Sequence, residues 1–431
     1  MKNRIPHSAD RLAVLPEPGF TVDQVARLGG DLSGLVLLCH ERDRESLALS
    51  GATLITYGGM HFCPSRRDLE EFRPLAERFD ACTLVHRFPA RSPNHFSTAL
   101  RLLGFRRVEE LLPDGQHRTS PQGPVSAGTP ESLLFSFCGG IGNAVLASSV
   151  AASAARHGVR TLFCPVADIT GTSLAPLFDP PPEGVTLVAP EDIGTAQAEV
   201  SLNVECHDLL GPEDFCHNPY RLGAPGHGPA FLADFVRNVT GLDTDLSATF
   251  VGGLNASIPE RLQGRVVVCP GSKPGWDSKR WPHMNELLRR LDNPVVLCRE
   301  PDLEAYGTLP FLEPISGDDA EFVTDFDLPR VAVLLRSAKM VVANDCGLAH
   351  VAAATGTPTL FLFGPSSLEQ NLHPRGNVLN LALDLDCRPC QGKTQGPGRL
   401  APNDYHCDIG FACLRDLSVD KVLEAMERLR P

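Results

Sequence analysis

The sequence contains no apolar run long enough to cross a membrane. A helix that spans a bilayer needs about 20 apolar residues in a row, and no stretch of the 431 residues reaches that length. The amino terminus also lacks the continuous apolar core of a secretory signal peptide. We therefore expect a soluble, cytoplasmic protein without a transmembrane segment.

Positive charge is scarce as well. The chain has 39 Lys and Arg against 52 Asp and Glu, which gives a formal net charge of -13 at pH 7. Proteins that bind nucleic acids need basic surface to release counterions from the phosphates. This balance argues against a nucleic-acid partner, although it leaves room for a local basic pocket that holds one small diphosphate.

The chain is too long for one ordinary core. At about 150 residues per domain, its length predicts two or three domains. A stretch rich in Pro, Gly and Ser at residues 112–130 has no apolar period and indicates a linker. We predict a small amino-terminal α/β lobe at residues 1–125, followed by two lobes of alternating strands and helices at 126–255 and 256–431.

One βαβ unit at residues 339–365 organises the last lobe. An apolar strand ends at Asn344 and Asp345, Gly347 opens a helical segment, and a second apolar strand begins at Thr359. Ligands bind at the carboxyl ends of strands in such sheets. Asp345 can cap exposed amides or accept hydrogen bonds from sugar hydroxyls, and residues 347–349 can present N–H groups to phosphate. For His350 alone, a satisfied, partly buried histidine is the default interpretation.

Two further loops end strands of the same lobe. Residues 270–282 form a turn with hydroxyl and ammonium donors suited to a diphosphate, where Lys279 can neutralise charge on a departing nucleotide. The alternative for this loop is a solvated basic segment anchored by Trp281. Glu300 follows the next strand and either binds a ribose diol or has no ligand role.

A glycine-rich turn at residues 138–142 follows a predicted strand in the middle lobe. Its backbone amides can approach a ligand closely. The turn lacks the full dinucleotide fingerprint, so close packing of a strand and a helix is an equally good interpretation.

The carboxyl-terminal tail contains four closely spaced cysteines. Four thiolates in a loop-rich segment suit a tetrahedral zinc or iron site of structural role, since a closed site leaves no position for substrate. Two disulfides, or reduced thiols without metal, are the alternatives. The four residues are Cys387, Cys390, Cys407 and Cys413.

The order of these motifs resembles glycosyltransferase family nine, which includes the lipopolysaccharide heptosyltransferases. The resemblance rests on CPGS and KRWP at 269–282, NDCGLAH at 344–350, GTPTLFLFGP at 356–365 and the cysteine tail. It implies a GT-B fold, in which two Rossmann-like lobes face a cleft and the carboxyl-terminal lobe holds the sugar nucleotide. It also implies inversion at the anomeric carbon without a catalytic metal, and an iron-binding tail like that of the autotransporter heptosyltransferases. The donor residues implied are Ser272, Lys279, Asp345, Gly347, Leu348, Ala349 and His350.

The sequence departs from this family at the expected catalytic base. The family's turn reads Gly-Asp, whereas this chain has Gly142 and Asn143, and an amide cannot deprotonate a hydroxyl. Either Asp168, His207 or Asp208 serves as the base, or transfer is impaired. In the family Ser is also frequent where this chain has Cys346, a thiol whose pKa the helix start can lower unless the side chain is buried.

The leading hypothesis is therefore an inverting glycosyltransferase. It would move a sugar, by resemblance a heptose from ADP-heptose, to a saccharide or protein hydroxyl, and it would form a homo-oligomer. The alternatives are a catalytically impaired scaffold that binds sugar nucleotides, and a GT-B epimerase or hydrolase.

Overall fold

Three sheets, each with helices packed on it, make up the computed structural model of the protein. In the described ranges no helix has both the length and the apolar content to span a membrane. The structure describes residues 5–57, 66–87, 95–119, 129–167, 172–205, 241–272, 276–308, 312–368, 373–390 and 407–429, except 7, 17, 18, 194, 197, 318 and 408, together with 233, 236 and 237.

The amino-terminal sheet has the strand order β3-β2-β1-β4-β5-β6, parallel except for β6. Its central strand β1 was not predicted from the sequence, because only four residues form it. The strands are Arg11–Val14 (β1), Leu35–His40 (β2), Thr53–Tyr57 (β3), Ala81–Val85 (β4), Arg107–Leu111 (β5) and His117–Thr119 (β6). The helices are Val22–Ala26 (α1), Arg44–Leu47 (α2), Arg66–Arg78 (α3) and His95–Leu103 (α4).

The middle sheet has the order β10-β8-β7-β11, with the short β9 antiparallel to β8. Helix α5 is built largely of Ala, Ser and Val, and its small side chains let it lie buried along most of its length. Helix α4 of the first lobe packs against β11. The elements are Ser132–Gly139 (β7), Ile141–Arg156 (α5), Arg160–Ala167 (β8), Thr172–Ser173 (β9), Ala175–Phe178 (α6), Val185–Leu187 (β10) and Val200–Glu205 (β11).

The last sheet is fully parallel in the order β14-β13-β12-β15-β16-β17. Chain order therefore reverses between β12 and β15, which places a crevice at their carboxyl ends. The strands are Val266–Cys269 (β12), Val295–Leu297 (β13), Glu321–Val323 (β14), Met340–Asn344 (β15), Thr359–Phe363 (β16) and Val378–Ala382 (β17). The helices are Met284–Arg290 (α7), Glu300–Thr308 (α8), Leu328–Ser337 (α9), Gly347–Ala354 (α10), Ala412–Arg415 (α11) and Val419–Arg428 (α12).

The segment between the last two sheets is bonded to both lobes. On the middle lobe, the hydroxyl of Ser148 in α5 accepts from the Phe250 amide at 3.0 Å. On the last lobe, Arg375 Nε donates to Thr249 Oγ1 at 3.0 Å. These bonds tie the position of α5 to the last lobe. The domain boundaries at 125/126 and 255/256 stay predictions.

Candidate functional site

The crevice between β12 and β15 holds most of the predicted site residues. The two strands are neighbours in register, with Cys269 opposite Ala343. The loop that follows β12 therefore begins beside the end of β15, where Asp345 is the first residue after the strand. Two motifs about 70 residues apart in sequence meet here because the sheet is parallel.

Lys279 and Asp345 form an ion pair at the centre of this crevice. Lys279 Nζ lies 2.7 Å from Asp345 Oδ2, and the side chains are only 13% and 5% exposed. Burial alone would raise the pKa of the Asp345 carboxyl, but the Lys279 ammonium, together with Ser366 and His350, holds that pKa below its usual range. The carboxylate is thus charged at neutral pH, and the ammonium is held beside it in the crevice.

The loop that carries Lys279 is packed. Trp281 is fully buried, and its Nε1 donates to the Leu417 carbonyl at 2.8 Å. The Lys279 ammonium also lies 5.4 Å from the Trp276 ring, and Ser272 Oγ donates to the Trp276 carbonyl at 3.0 Å. Trp281 is therefore a packing anchor, as the alternative interpretation of this loop proposed, but the described residues 276–281 are packed and do not form a solvated segment.

A second buried ion pair supports the loop, and the sequence analysis missed it. Arg280 Nη2 lies 2.9 Å from Asp302 Oδ1, with side chains 3% and 6% exposed. Glu300, which the sequence analysis proposed for a ribose diol, is exposed at the start of α8. No local sequence signal distinguishes Asp302 from Glu300, because both are acidic residues in the first turn of the same helix.

The start of α10 presents backbone amides, as predicted for residues 347–349. Cys346 is the N-cap, and burial raises the pKa of its thiol to about 11 even though the nearby Ala349 and Leu348 amides lower it. The thiol is therefore protonated at neutral pH, and the helix start does not activate it. His350 is buried, with its ring 5.0 Å from Phe361 and 5.6 Å from His373.

The amino termini of α5 and α10 touch each other. A Cβ atom on Gly142 would lie 2.6 Å from His350 Cδ2, and one on Gly347 would lie 2.8 Å from Ile141 Cβ. Only hydrogen fits at both positions, so the glycines allow the two helices to meet. This contact brings Asn143, in the first turn of α5 and half-buried, close to the α10 start. The other candidate bases, Asp168, His207 and Asp208, lie outside the described residues.

The four tail cysteines lie near one another, two of them buried and two half-buried. Burial raises the pKa of Cys413 to about 12, with further contributions from the nearby Cys390, Cys407 and Cys387 thiols. All four are free thiols, which excludes the disulfide alternative in this structure. Within the described part of the chain, no three His, Cys, Asp or Glu side chains are grouped closely enough to hold a metal ion. The fold gathers the thiols without arranging them as a ligand set.

Comparisons with known proteins agree with this geometry. Residues 255–399, which contain the crevice, match the family model of glycosyltransferase family 9 (heptosyltransferase). That segment is similar to the glycosyltransferase family 9 domain. Lipopolysaccharide heptosyltransferase 2 of Salmonella typhimurium is 34% identical over 112 residues, covering 24% of this chain and 31% of the relative. Lipopolysaccharide heptosyltransferase 1 of Pseudomonas aeruginosa is 32% identical over 127 residues, covering 28% and 34%. The chain spans about a third of the length of these curated relatives.

Solved structures extend the similarity beyond the family 9 domain. The iron-containing dodecameric glycosyltransferase TibC from enterotoxigenic E. coli H10407 superposes with a TM-score of 0.52 at 18% identity, covering 75% of this chain and 85% of TibC. A second TibC structure, a complex with ADP-D-beta-D-heptose, gives a TM-score of 0.50, also at 18% identity, and covers 73% and 79%. The predicted GT-B fold is thereby confirmed.

Proposed function

We propose that the protein is an inverting glycosyltransferase that uses a nucleotide-diphosphate sugar, with ADP-heptose as the first candidate donor. The observation that carries the proposal is the buried Lys279–Asp345 pair at the β12/β15 switch point, beside the amide-rich start of α10. The heptosyltransferase relatives and the ADP-heptose complex of TibC support this choice of donor.

The residues take separate roles in this proposal. The α10 start, at Gly347, Leu348 and Ala349, and the Lys279 ammonium hold the diphosphate, because amides and an ammonium ion favour an anion. Asp345 orients Lys279, and His350 and Ser272 shape the donor pocket. As the acceptor oxygen bonds to the anomeric carbon, the bond from that carbon to the diphosphate breaks. The electron pair leaves with the nucleoside diphosphate, whose growing charge Lys279 stabilises.

The acceptor proton needs a base other than Asn143. We propose Asp168, His207 or Asp208, which belong to the middle lobe as Asn143 does. Replacing Asn143 with Ala should then change kcat by no more than about threefold, whereas removing the true base should lower it by about 100-fold or more. Rates for Asn143→Ala, Asp168→Asn, His207→Gln and Asp208→Asn, measured at saturating donor, check this. A large loss confined to Asn143→Ala contradicts it.

The activity is tested by incubating the protein with a panel of nucleotide sugars and with saccharide and peptide acceptors. Release of ADP together with a product heavier by one heptose is the expected result. Donor binding by calorimetry without product on any acceptor would instead favour the catalytically impaired scaffold, which has no support in the comparisons. Free sugar or an epimerised nucleotide as product would indicate a hydrolase or an epimerase.

For the tail, we propose a structural iron or zinc ion held by the four cysteines. TibC, described as iron-containing, supports the choice of metal, and four clustered free thiols have the right donor chemistry. Thiolate ligands would draw the segments that carry these cysteines together and fold a tail whose described residues share a small core of Cys390, Cys407 and Phe411.

Elemental analysis of the purified protein should find one equivalent of metal. Replacing Cys387 and Cys390 with Ser should abolish metal binding and lower the temperature at which the tail unfolds. The buried Cys82, far away in the amino-terminal lobe, provides the control, since Cys82→Ser should keep the metal. Four thiols that all react with Ellman's reagent in native protein without metal would refute the site.

We also propose a homo-oligomer, since TibC is described as dodecameric. Light scattering coupled to size-exclusion chromatography measures the mass directly, and a value of 46.5 kDa would mean a monomer.

A further inference from the structure

Asn344 is a fully buried amide at the last position of β15, next to Asp345. Its Nδ2 donates to the Pro270 carbonyl at 2.5 Å and to the Tyr306 hydroxyl at 3.3 Å. Its Oδ1 accepts from the Trp281 backbone amide at 3.1 Å. The partners fix the orientation of the side chain, because a carbonyl oxygen can only accept and an amide N–H can only donate.

These partners are the two ends of one loop. Pro270 is the first residue after β12, and Trp281 comes two residues after Lys279. The loop that carries Lys279 is therefore held by one side chain, Asn344, at two points. One is Pro270 at the start of the loop, and the other is Trp281, two residues after Lys279. The Tyr306 hydroxyl lies 3.3 Å from the Pro270 carbonyl and 3.2 Å from the Trp281 carbonyl, which braces the same two points.

The neighbouring residue completes the arrangement. Asp345 binds the Lys279 ammonium directly. Two consecutive residues therefore hold the loop: Asn344 binds its backbone, and Asp345 binds its charged group. A loop held at only one of these points would be free to move the ammonium away from the crevice. The buried setting makes these bonds costly to lose, since each freed group would stay without water.

We propose that Asn344 is a positioning residue, whose side-chain amide locks the 270–281 loop so that Lys279 stays at the donor diphosphate. It does not touch the donor; it acts through Lys279. The expected effect on turnover of the donor rests on the proposed function. The expected effect on the packing of the loop does not.

Only an amide meets both demands at this position. In Asn344→Asp the side chain keeps its shape, but a carboxylate oxygen replaces Nδ2 and faces the Pro270 carbonyl, so two acceptors oppose each other. Asn285 is a matched control in the same lobe. It is also buried, its Nδ2 donates to the Pro314 carbonyl at 2.7 Å, and its Oδ1 accepts from the Ser316 amide at 2.9 Å.

The position of the loop can be followed by tryptophan fluorescence without any substrate. The chain has two tryptophans, Trp276 and Trp281, and both lie in this loop with exposures of 5% and 0%. Asn344→Asp should shift the tryptophan emission to longer wavelength and at least double the acrylamide quenching constant, whereas Asn285→Asp should leave both unchanged. If the two variants show the same emission and quenching, the positioning role is wrong.

Kinetics with ADP-heptose then test the route through Lys279. Asn344→Asp should lower kcat/KM at least tenfold, with a higher donor KM, while Asn285→Asp stays within a factor of two. In a Lys279→Met background the same Asn344 substitution should have no further effect. A full additional tenfold loss there would show that Asn344 acts independently of Lys279. Wild-type protein that neither binds nor turns over any sugar nucleotide would refute the proposed function, and the fluorescence comparison would still decide the role of Asn344 in the loop.

Discussion

Lys279→Met is expected to destabilise the fold by about 3–5 kcal/mol at pH 7, because it leaves the Asp345 carboxylate buried without its cation. The Lys279 side chain is 13% exposed and that of Asp345 5%, so water replaces little of the lost interaction. The same change should lower kcat/KM by about 100-fold or more, since the charge on the departing diphosphate loses its closest cation. Urea unfolding and steady-state kinetics measure the two effects.

The double variant Lys279→Met/Asp345→Asn provides the control for the stability effect. With both charges removed, most of the lost stability should return, while the activity stays low. This separates the cost of a stranded carboxylate from the loss of a binding group. If Lys279→Met and the double variant are equally stable, an unpaired, buried Asp345 carboxylate is not the cause of the lost stability.

The difference in unfolding free energy between the wild type and Lys279→Met should depend on pH. In the wild type burial raises the pKa of Asp345, but Lys279, together with Ser366 and His350, brings it below its ordinary value. The pair therefore stabilises the fold above about pH 4, near the unfolded pKa, and this contribution is lost as the pH falls through the lower folded pKa. In Lys279→Met the ammonium is gone while burial, Ser366 and His350 remain, so we expect burial to raise that pKa and the variant to gain stability as the carboxyl takes up a proton. The difference in unfolding free energy should narrow from pH 7 to pH 4.

Gly142→Ala is expected to lower kcat/KM by about 100-fold by moving the α10 start, since a displacement of about 1 Å at a site has effects of this size. The new Cβ would lie 2.6 Å from His350 Cδ2, and the ring cannot swing away because Phe361 and His373 pack against it. Forced packing of this kind costs about 1–3 kcal/mol, which the better helix propensity of Ala offsets in part.

Two variants control this prediction. Gly376→Ala adds the same methyl group in the last lobe, but its Cβ would meet no atom within 4 Å, so activity should be unchanged. In a His350→Ala background, Gly142→Ala should no longer lower the unfolding free energy, because the clashing atom is gone. If Gly142→Ala and Gly376→Ala have equal activity, the helix contact does not control the site.

Much of the last lobe could be predicted because its elements are local. The helix Gly347–Ala354 and the strand Thr359–Phe363 begin at the residues that the sequence pattern predicted. Parallel strands then place their carboxyl ends together, which explains why Lys279 and Asp345 could be assigned to one site before the structure was known. For the amino-terminal lobe the sequence predicted the α/β class but not the short central strand Arg11–Val14.

The roles of buried polar groups were not predictable in the same way. Nothing local to Asn344 indicates that it bonds to Pro270 and Trp281, which are more than 60 residues away in sequence. Glu300 and Asp302 look alike in the sequence, yet only Asp302 is buried against Arg280. Such contacts depend on which loops the sheet order brings together.

The sequence alone determined the family 9 motifs, the βαβ unit around Asp345 and the absence of the expected carboxylate at Asn143, since each is a property of neighbouring residues. The tertiary structure decided that the thiol of the half-buried Cys346 is protonated, that Asn344 holds the loop of Lys279, and that Gly142 and Gly347 meet. Burial and contact between distant segments set these properties, because they change the cost of exposing a charge or placing a methyl group.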